Sequence, residues 1–173
     1  DAKVSTSSAL SSDFTRSGFD RGHLVPAGDF KCCQDLLADT FWISNLTPQD
    51  PDCNRNIWNN LEQQTRNWAR KKNKLYVFTG PVLKPGLRKI GKYNRVSIPE
   101  HIYKIVFLLD ENDIDNSQVK AFMMPNKPNL GFNFNLFKAS VDEIEKETGL
   151  DFLSLLPDGL ENRLEETIST NRW

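Results

Sequence analysis

Residues 54–66 read NRNIWNNLEQQTR, and the way this stretch folds decides what the rest of the chain is built around. Ile57, Leu61, Trp68 and Ala69 approximate an apolar stripe at helical spacing, which predicts a helix from about Arg55 to Lys72 with Asn54 as its N-cap. On such a helix Asn54, Trp58, Glu62 and Arg66 form an i, i+4 series drifting about 40° per step, with Glu62 about 12 Å beyond Asn54. Taken singly, Asn54 is a cap and Glu62 with Arg66 is a surface pair worth a few tenths of a kcal/mol. Prolines and acids in PQDPDCN (48–54) mark the turn that precedes it.

Outward from this helix the pattern is mixed. CQDLLADTF (33–41) predicts a short helix, and FWISNLTPQ (41–49) alternates like a strand. KLYVFTGPVL (74–83), HIYKIVFLLD (101–110) and QVKAFMMPN (118–126) predict three more strands, the last two joined by a polar turn around 112–117. The segment 83–96 is basic and glycine-containing, a loop or irregular hairpin. Ser140 and Glu143 stand in capping-box spacing ahead of a helix that closes on Gly149, and another short helix is expected around 160–167. Residues 1–16 are expected to be a flexible lead-in, and residues 1–173 form one domain. The order of elements gives an α+β fold with a central, mostly antiparallel sheet flanked by helices.

The 173 residues carry 22 basic and 23 acidic side chains for a net charge of −1, with 38% apolar residues. No apolar run approaches the roughly 20 residues that a membrane helix needs. The charges are unevenly spread: eleven bases face one acid, Glu62, across 55–95, whereas 141–173 holds nine acids and three bases. The basic stretch is either a solvated face or a track for a polyanion. Cys32, Cys33 and Cys53 allow one bridge from Cys53 to either neighbour, or free thiols.

One of the two histidines lies in GFDRGHLVPAGDF (18–30). An imidazole is largely an unprotonated base at neutral pH, Asp20 can orient it, and Arg21 suits an anionic substrate. Gly22 lets the backbone approach another group closely. The competing reading is an Asp20–Arg21 ion pair within a tight turn. The oxygens of Asn54 and Glu62 are the hard ligands that Mg²⁺ prefers, and one or two suffice because that ion keeps several waters. His101, at the start of a strand, reads as structural.

The combination resembles a known family. DRGH at 20–23, the strand 41–49 and N-x3-W-N-x-L-E-x3-R at 54–66 are similar to the DNA/RNA non-specific endonucleases, the ββα-metal group that includes endonuclease G. FTGPVL (78–83), IPEHIYKIVF (98–107), MMPN (123–126) and E-x2-T-G-L-D-F (145–152) extend the likeness over nearly everything after Ser17. Family members carry strands and a further basic segment ahead of the DRGH motif, where this chain has nineteen residues.

The resemblance implies a ββα-metal fold and a Mg²⁺-dependent hydrolysis of DNA and RNA phosphodiesters, with Mn²⁺ able to substitute. By resemblance His23 matches the general base and Asn54 the direct metal ligand. Glu62 matches the carboxylate that holds metal-bound water. Arg21, Asn45 and Arg66 match polar residues around the scissile phosphate, and Asp20 supports the motif. Expected partners are DNA and RNA read with little sequence specificity, with no membrane; relatives are often dimers, so a homodimer is an expected assembly. A secreted or periplasmic location follows as an expectation from the habit of bacterial relatives and from a chain that opens on Asp1. The contrasting reading is a catalytically silent nucleic-acid-binding module on the same scaffold.

Overall fold

The run HIYKIVFL at 101–108 points alternate side chains to opposite faces, and both faces are buried. The computed structural model describes residues 8–92, 96–170 and 173. In chain order the first elements are β1 (Asp20–His23), α1 (Gln34–Asp39) and β2 (Leu46–Gln49), then a π-helical turn (Cys53–Trp58) running into α2 (Asn59–Lys72). There follow β3 (Tyr76–Pro81), β4 (Lys89–Ile90), β5 (Val96–Ser97), β6 (His101–Leu108), β7 (Gln118–Pro125) and β8 (Lys138–Ala139). The chain ends on α3 (Val141–Thr148) and α4 (Asp158–Glu165). Among the described residues no helix is long and apolar enough to cross a membrane.

β3, β6, β7 and β8 form an antiparallel sheet in the order β3-β6-β7-β8, in register Ile105 against Phe78 and Ala121. On one face Ile102, Val106, Phe122 and Met124 pack against Ile57, Trp58, Leu61 and Trp68 of the π turn and α2. On the other, Tyr103, Ile105, Phe107 and Val119 pack against Ile144, Leu160 and Leu164 of α3 and α4. The result is a sheet with helices on both sides. That is why the β6 sequence reads as a nearly unbroken apolar run.

The β1–β2 hairpin stands outside this sheet, with His23 opposite Leu46 and Asp20 opposite Gln49. It rests on a small core of Phe14, Leu46 and Ile90. Asn126, from the MMPN segment, fastens the hairpin to the sheet: its Nδ2 donates to the carbonyls of Pro48 and Pro99, both at 2.9 Å, and its Oδ1 accepts from Asp50 N at 2.7 Å. A half-buried amide with its bonds satisfied in this way fixes one arrangement of the backbone.

Several expectations are met locally. Ser140 and Glu143 form the capping box of α3, and Gly149 closes it at φ 69°. The segment 83–96 holds the β4–β5 hairpin, although Arg95 lies outside the described residues.

Others are corrected. Residues 1–7 of the expected lead-in lie outside the described residues, but Ser11–Phe14 is a 3-10 turn whose Asp13 and Phe14 are buried. Phe14 finds a hydrophobic core across the chain, a contact that local composition does not reveal. Of 41–49 only Leu46–Gln49 is strand, because Ile43–Asn45 turns as 3-10. The long helix starts earlier than Arg55: Asp50 Oδ1 accepts from the N–H groups of Asp52 and Cys53, so Asp50 rather than Asn54 caps it. Of the two readings left open for the cysteines, free thiols are the one found, with Cys53 buried and Cys32 and Cys33 exposed.

Gly22 meets its close neighbour within the hairpin. A Cβ there would lie 2.2 Å from Gln49 Oε1 and 2.6 Å from Gln49 Cβ, and Gln49 is itself 1% exposed. Gly22→Ala is therefore expected to destabilise the protein by about 1–3 kcal/mol through overpacking. Urea unfolding of the two proteins measures this; an unchanged midpoint would show that the hairpin yields freely.

Candidate active site

β1 places Asp20 and His23 on one short strand, and the π turn places Asn54 and Arg55 beside it. The Asp20 carboxylate accepts from Asn54 Nδ2 at 2.9 Å, from Arg55 Nε at 2.8 Å and from Arg55 Nη2 at 2.7 Å. The Arg55 guanidinium, helped by Asn54, holds the Asp20 carboxyl below its usual range. Arg21 is not the partner of Asp20. It donates to Ser11 O at 3.0 Å and lies 6.0 Å from the Phe14 ring centroid.

Asn54 is thereby oriented. Its nitrogen is committed to Asp20, which leaves Oδ1, a hard neutral oxygen, as the atom it offers. The π-helical hydrogen bonding of Cys53–Trp58 changes the winding under Asn54, so the Asn54-to-Trp58 step is not the α-helical one that the sequence spacing predicts. Single π turns of this kind recur at functional sites.

His23 is half-buried with its ring edge-on to Phe41, the centroids 4.9 Å apart. Burial lowers its pKa, while hydrogen bonding to the Arg21 backbone acts weakly the other way. Its Nε2 is buried and has no hydrogen-bond partner. Nε2 is thus the ring nitrogen open to a further partner.

Glu62, on α2, is pushed up to about 7 by burial. Lys104 and Arg66 pull the other way, Asp29 adds to the rise, and the Trp58 indole N–H favours the ionised form. Lys104 lies on the β6 face that meets α2 and is 1% exposed. It donates to Thr79 Oγ1 at 2.8 Å and stands 5.0 Å from the Trp58 ring centroid. Burial brings it down to about 8, against the charge of Glu62. Arg66 donates to Asp29 Oδ1 at 2.8 Å and covers Gly28, where a Cβ would come within 3.1 Å of its Nη1. A cavity of about 400 Å³ opens beside these groups, with Asp29, Glu62, Thr79 and Lys104 in its wall.

Asn45 is occupied by backbone. Its Nδ2 donates to Val25 O at 2.9 Å and to Thr40 O at 2.8 Å, and its Oδ1 accepts from Val25 N at 2.9 Å. The structure thus gives it the work of holding the loop after His23, and a phosphate contact through this amide would displace bonds already made. Lys104 and Asp29 were not legible as site residues. The one signal was a lysine at the centre of the apolar run HIYKIVF. His101 stays at the start of β6, where its carbonyl accepts from Val82 N.

The donor set suits a hard divalent ion: an oriented amide oxygen at Asn54 and a carboxylate at Glu62, with the unpartnered nitrogen of His23 on the strand that carries Asp20. A family model described as DNA/RNA non-specific endonuclease matches residues 1–159. The Danio rerio mitochondrial nuclease EXOG is 36% identical over 159 residues, covering 86% of this chain and 46% of its own. A Nostoc nuclease is 37% identical over 161 residues, with coverages of 90% and 58%. Human mitochondrial endonuclease G is 35% identical over 155 residues, with coverages of 84% and 52%. A solved EndoG/EndoGI complex superposes with a TM-score of 0.77 at 28% identity, over 86% of this chain and 64% of that one. The chain belongs to the DNA/RNA non-specific endonuclease family and spans about half the length of the curated relatives it matches.

Glu62 has a measurable signature in protein stripped of metal. Its folded pKa of about 7 stands above the ordinary 4.5, so the folded state holds the extra proton. Its contribution is favourable below pH 4.5 and is lost as pH rises through 7, a change on the order of 2–3 kcal/mol. Glu62→Gln is expected to remove that share of the decline. Unfolding at pH 5 and pH 8 in chelator checks it, and parallel slopes in the two proteins would exclude a raised Glu62 pKa.

Proposed function

We propose that this chain is a Mg²⁺-dependent, sugar-non-specific endonuclease acting on DNA and RNA, with His23 as general base and Asn54 as the direct metal ligand. The observation that carries the reading is that one strand, β1, presents both the unpartnered His23 Nε2 and the Asp20 carboxylate that orients Asn54. Asn54 Oδ1 would hold the ion directly and Glu62 would hold it through water. A bound Mg²⁺ would neutralise charge on a phosphoryl oxygen and on the departing 3′ oxygen.

The residues of the chain perform the rest. His23 Nε2 takes the proton of the attacking water, as a base whose lowered pKa keeps it unprotonated at neutral pH. Water oxygen bonds to phosphorus, and the P–O3′ bond breaks with its electron pair passing to the 3′ oxygen. That oxygen takes a proton from solvent, and the products carry 5′-phosphate and 3′-hydroxyl ends. Arg21 and Arg66 supply fixed positive charge near the phosphate. Asn45 holds the loop that follows His23, which keeps the imidazole in place. A groove lined by Arg66 and Arg70 runs along α2 beside Asp29 and suits a phosphodiester backbone. Contacts to phosphate alone read no bases, in keeping with little sequence preference.

His23→Ala is expected to lower plasmid cleavage by at least about 10²–10⁴-fold while DNA affinity holds. Supercoiled DNA, single-stranded DNA and RNA, each with Mg²⁺ and with EDTA, form the decisive assay. Binding without cleavage in every arm would instead identify a silent nucleic-acid-binding module. Asp20→Ala is expected to raise the Mg²⁺ needed for half-maximal cleavage about 10–100-fold, since the orienting bond to Asn54 is lost. An unchanged Mg²⁺ requirement would detach Asp20 from the metal site.

A further inference from the structure

The nine acids of 141–173 converge in part on the face of the sheet opposite α2. Oxygens of Asp142, Glu145 and Glu165 all lie within 4.8 Å of one another, and so do those of Asp151, Glu161 and Glu165. Asp142 and Glu145 come from α3, Asp151 from the following loop, Glu161 and Glu165 from α4. Among the described residues the ion pairs are Arg55–Asp20, Arg66–Asp29, Lys74–Glu111 and Lys84–Glu147, so none of these five carboxylates has a cationic side chain paired with it.

Glu165 belongs to both groups and is the observation that goes beyond a cluster of surface acids. It is 6% exposed, and its Oε1 is fully buried with no hydrogen-bond partner. A buried carboxylate oxygen with neither a donor nor a counter-charge is costly. Its acid neighbours make matters worse: burial, Glu145 and Glu161 push Glu165 up to about 7, and a hydrogen bond with the Glu145 side chain adds to the rise. A cation relieves both penalties at once. Ligand oxygens at about 2.4 Å from a Ca²⁺ lie no more than about 4.8 Å apart, a limit that Asp142, Glu145 and Glu165 meet. A set made of carboxylates, each able to give one oxygen or two, suits Ca²⁺ better than Mg²⁺.

We propose that Glu165 of α4, with Asp142 and Glu145 of α3, forms a Ca²⁺ site that ties α3 to α4, and that Asp151 and Glu161 add negative charge beside it. Occupancy locks the two helices that bury Ile144, Leu160 and Leu164 against the sheet. The ion therefore acts on stability, and it does so independently of the cleavage reading.

The test titrates CaCl₂ into the metal-free full chain, followed by calorimetry and thermal unfolding, with MgCl₂ in parallel. Ca²⁺ is expected to bind with half-saturation in the range of about 10⁻⁵–10⁻³ M and to raise the midpoint of unfolding. Glu165→Gln abolishes the shift, whereas Asn54→Ala keeps it. If Glu165→Gln fails to fold, Asp142→Asn, at an exposed position, weakens Ca²⁺ binding at least about tenfold. An equal Ca²⁺ shift in wild type and these variants would overturn the proposal. So would no shift with CaCl₂ together with a midpoint that rises as pH falls to 6 and loses that rise in Glu165→Gln, the mark of a proton shared by Glu145 and Glu165.

Discussion

The carboxylate of Asp20 is the joint on which the candidate active site depends. Neither β1, four residues long, nor a single π turn holds its shape alone. Three hydrogen bonds to one side chain bring them together and fix the amide of Asn54. Arg55 is largely exposed, so the pair adds little stability. Its value is geometric. Arg55 keeps Asp20 ionised through the mildly acid range, and an ionised Asp20 is acceptor-only, which dictates that Asn54 turns its nitrogen inward and its oxygen outward.

Beneath that joint lies a balance of buried charge. Glu62 and Lys104 line one wall and each favours the charged form of the other, with the Arg66–Asp29 ion pair at the more exposed edge. An apolar set of the same volume would be at least as stable. Glu62 instead rests near the edge of ionisation at neutral pH, where a divalent ion beside it would shift it to the carboxylate. Lys104, held by Thr79 and covered by Trp58, is the fixed countercharge that keeps this shift within reach.

The sequence picked out residues that the structure sets on β1, the π turn and α2, but not how these are joined. Glu62 and Arg66 keep their one-turn spacing because α2 is short-range in its hydrogen bonding, whereas β1 is held by β2 from beyond α1 and the π turn alters the step after Asn54. The π turn was invisible, since an apolar stripe is compatible with one extra residue per turn. Asp50, an ordinary turn residue in PQDPDCN, displaced Asn54 as the cap because only the backbone path reveals which oxygen meets the free N–H groups. Lys104 was hidden for a different reason. A strand buried on both faces has no solvent side, so a lysine within it is committed to an internal partner that lies elsewhere in the chain. The fold class was readable from the order of elements, whereas the seating of Phe14 under the hairpin was not, as that contact joins segments far apart in sequence.

A net charge of −1 conceals two faces of opposite character. The sheet is the divider: α2, with Arg66, Arg70, Lys71 and Lys72, lies on one side, and α3 with α4 lies on the other with their carboxylates. An approaching polyanion feels the nearer face most strongly, because solvent charges more than about 8–10 Å apart are largely screened at physiological salt. The sheet thickness and the helix layers exceed that distance. The acidic end therefore costs the basic end little of its attraction for an anion. Separation of the charges across the sheet is what lets a nearly neutral chain keep a basic face.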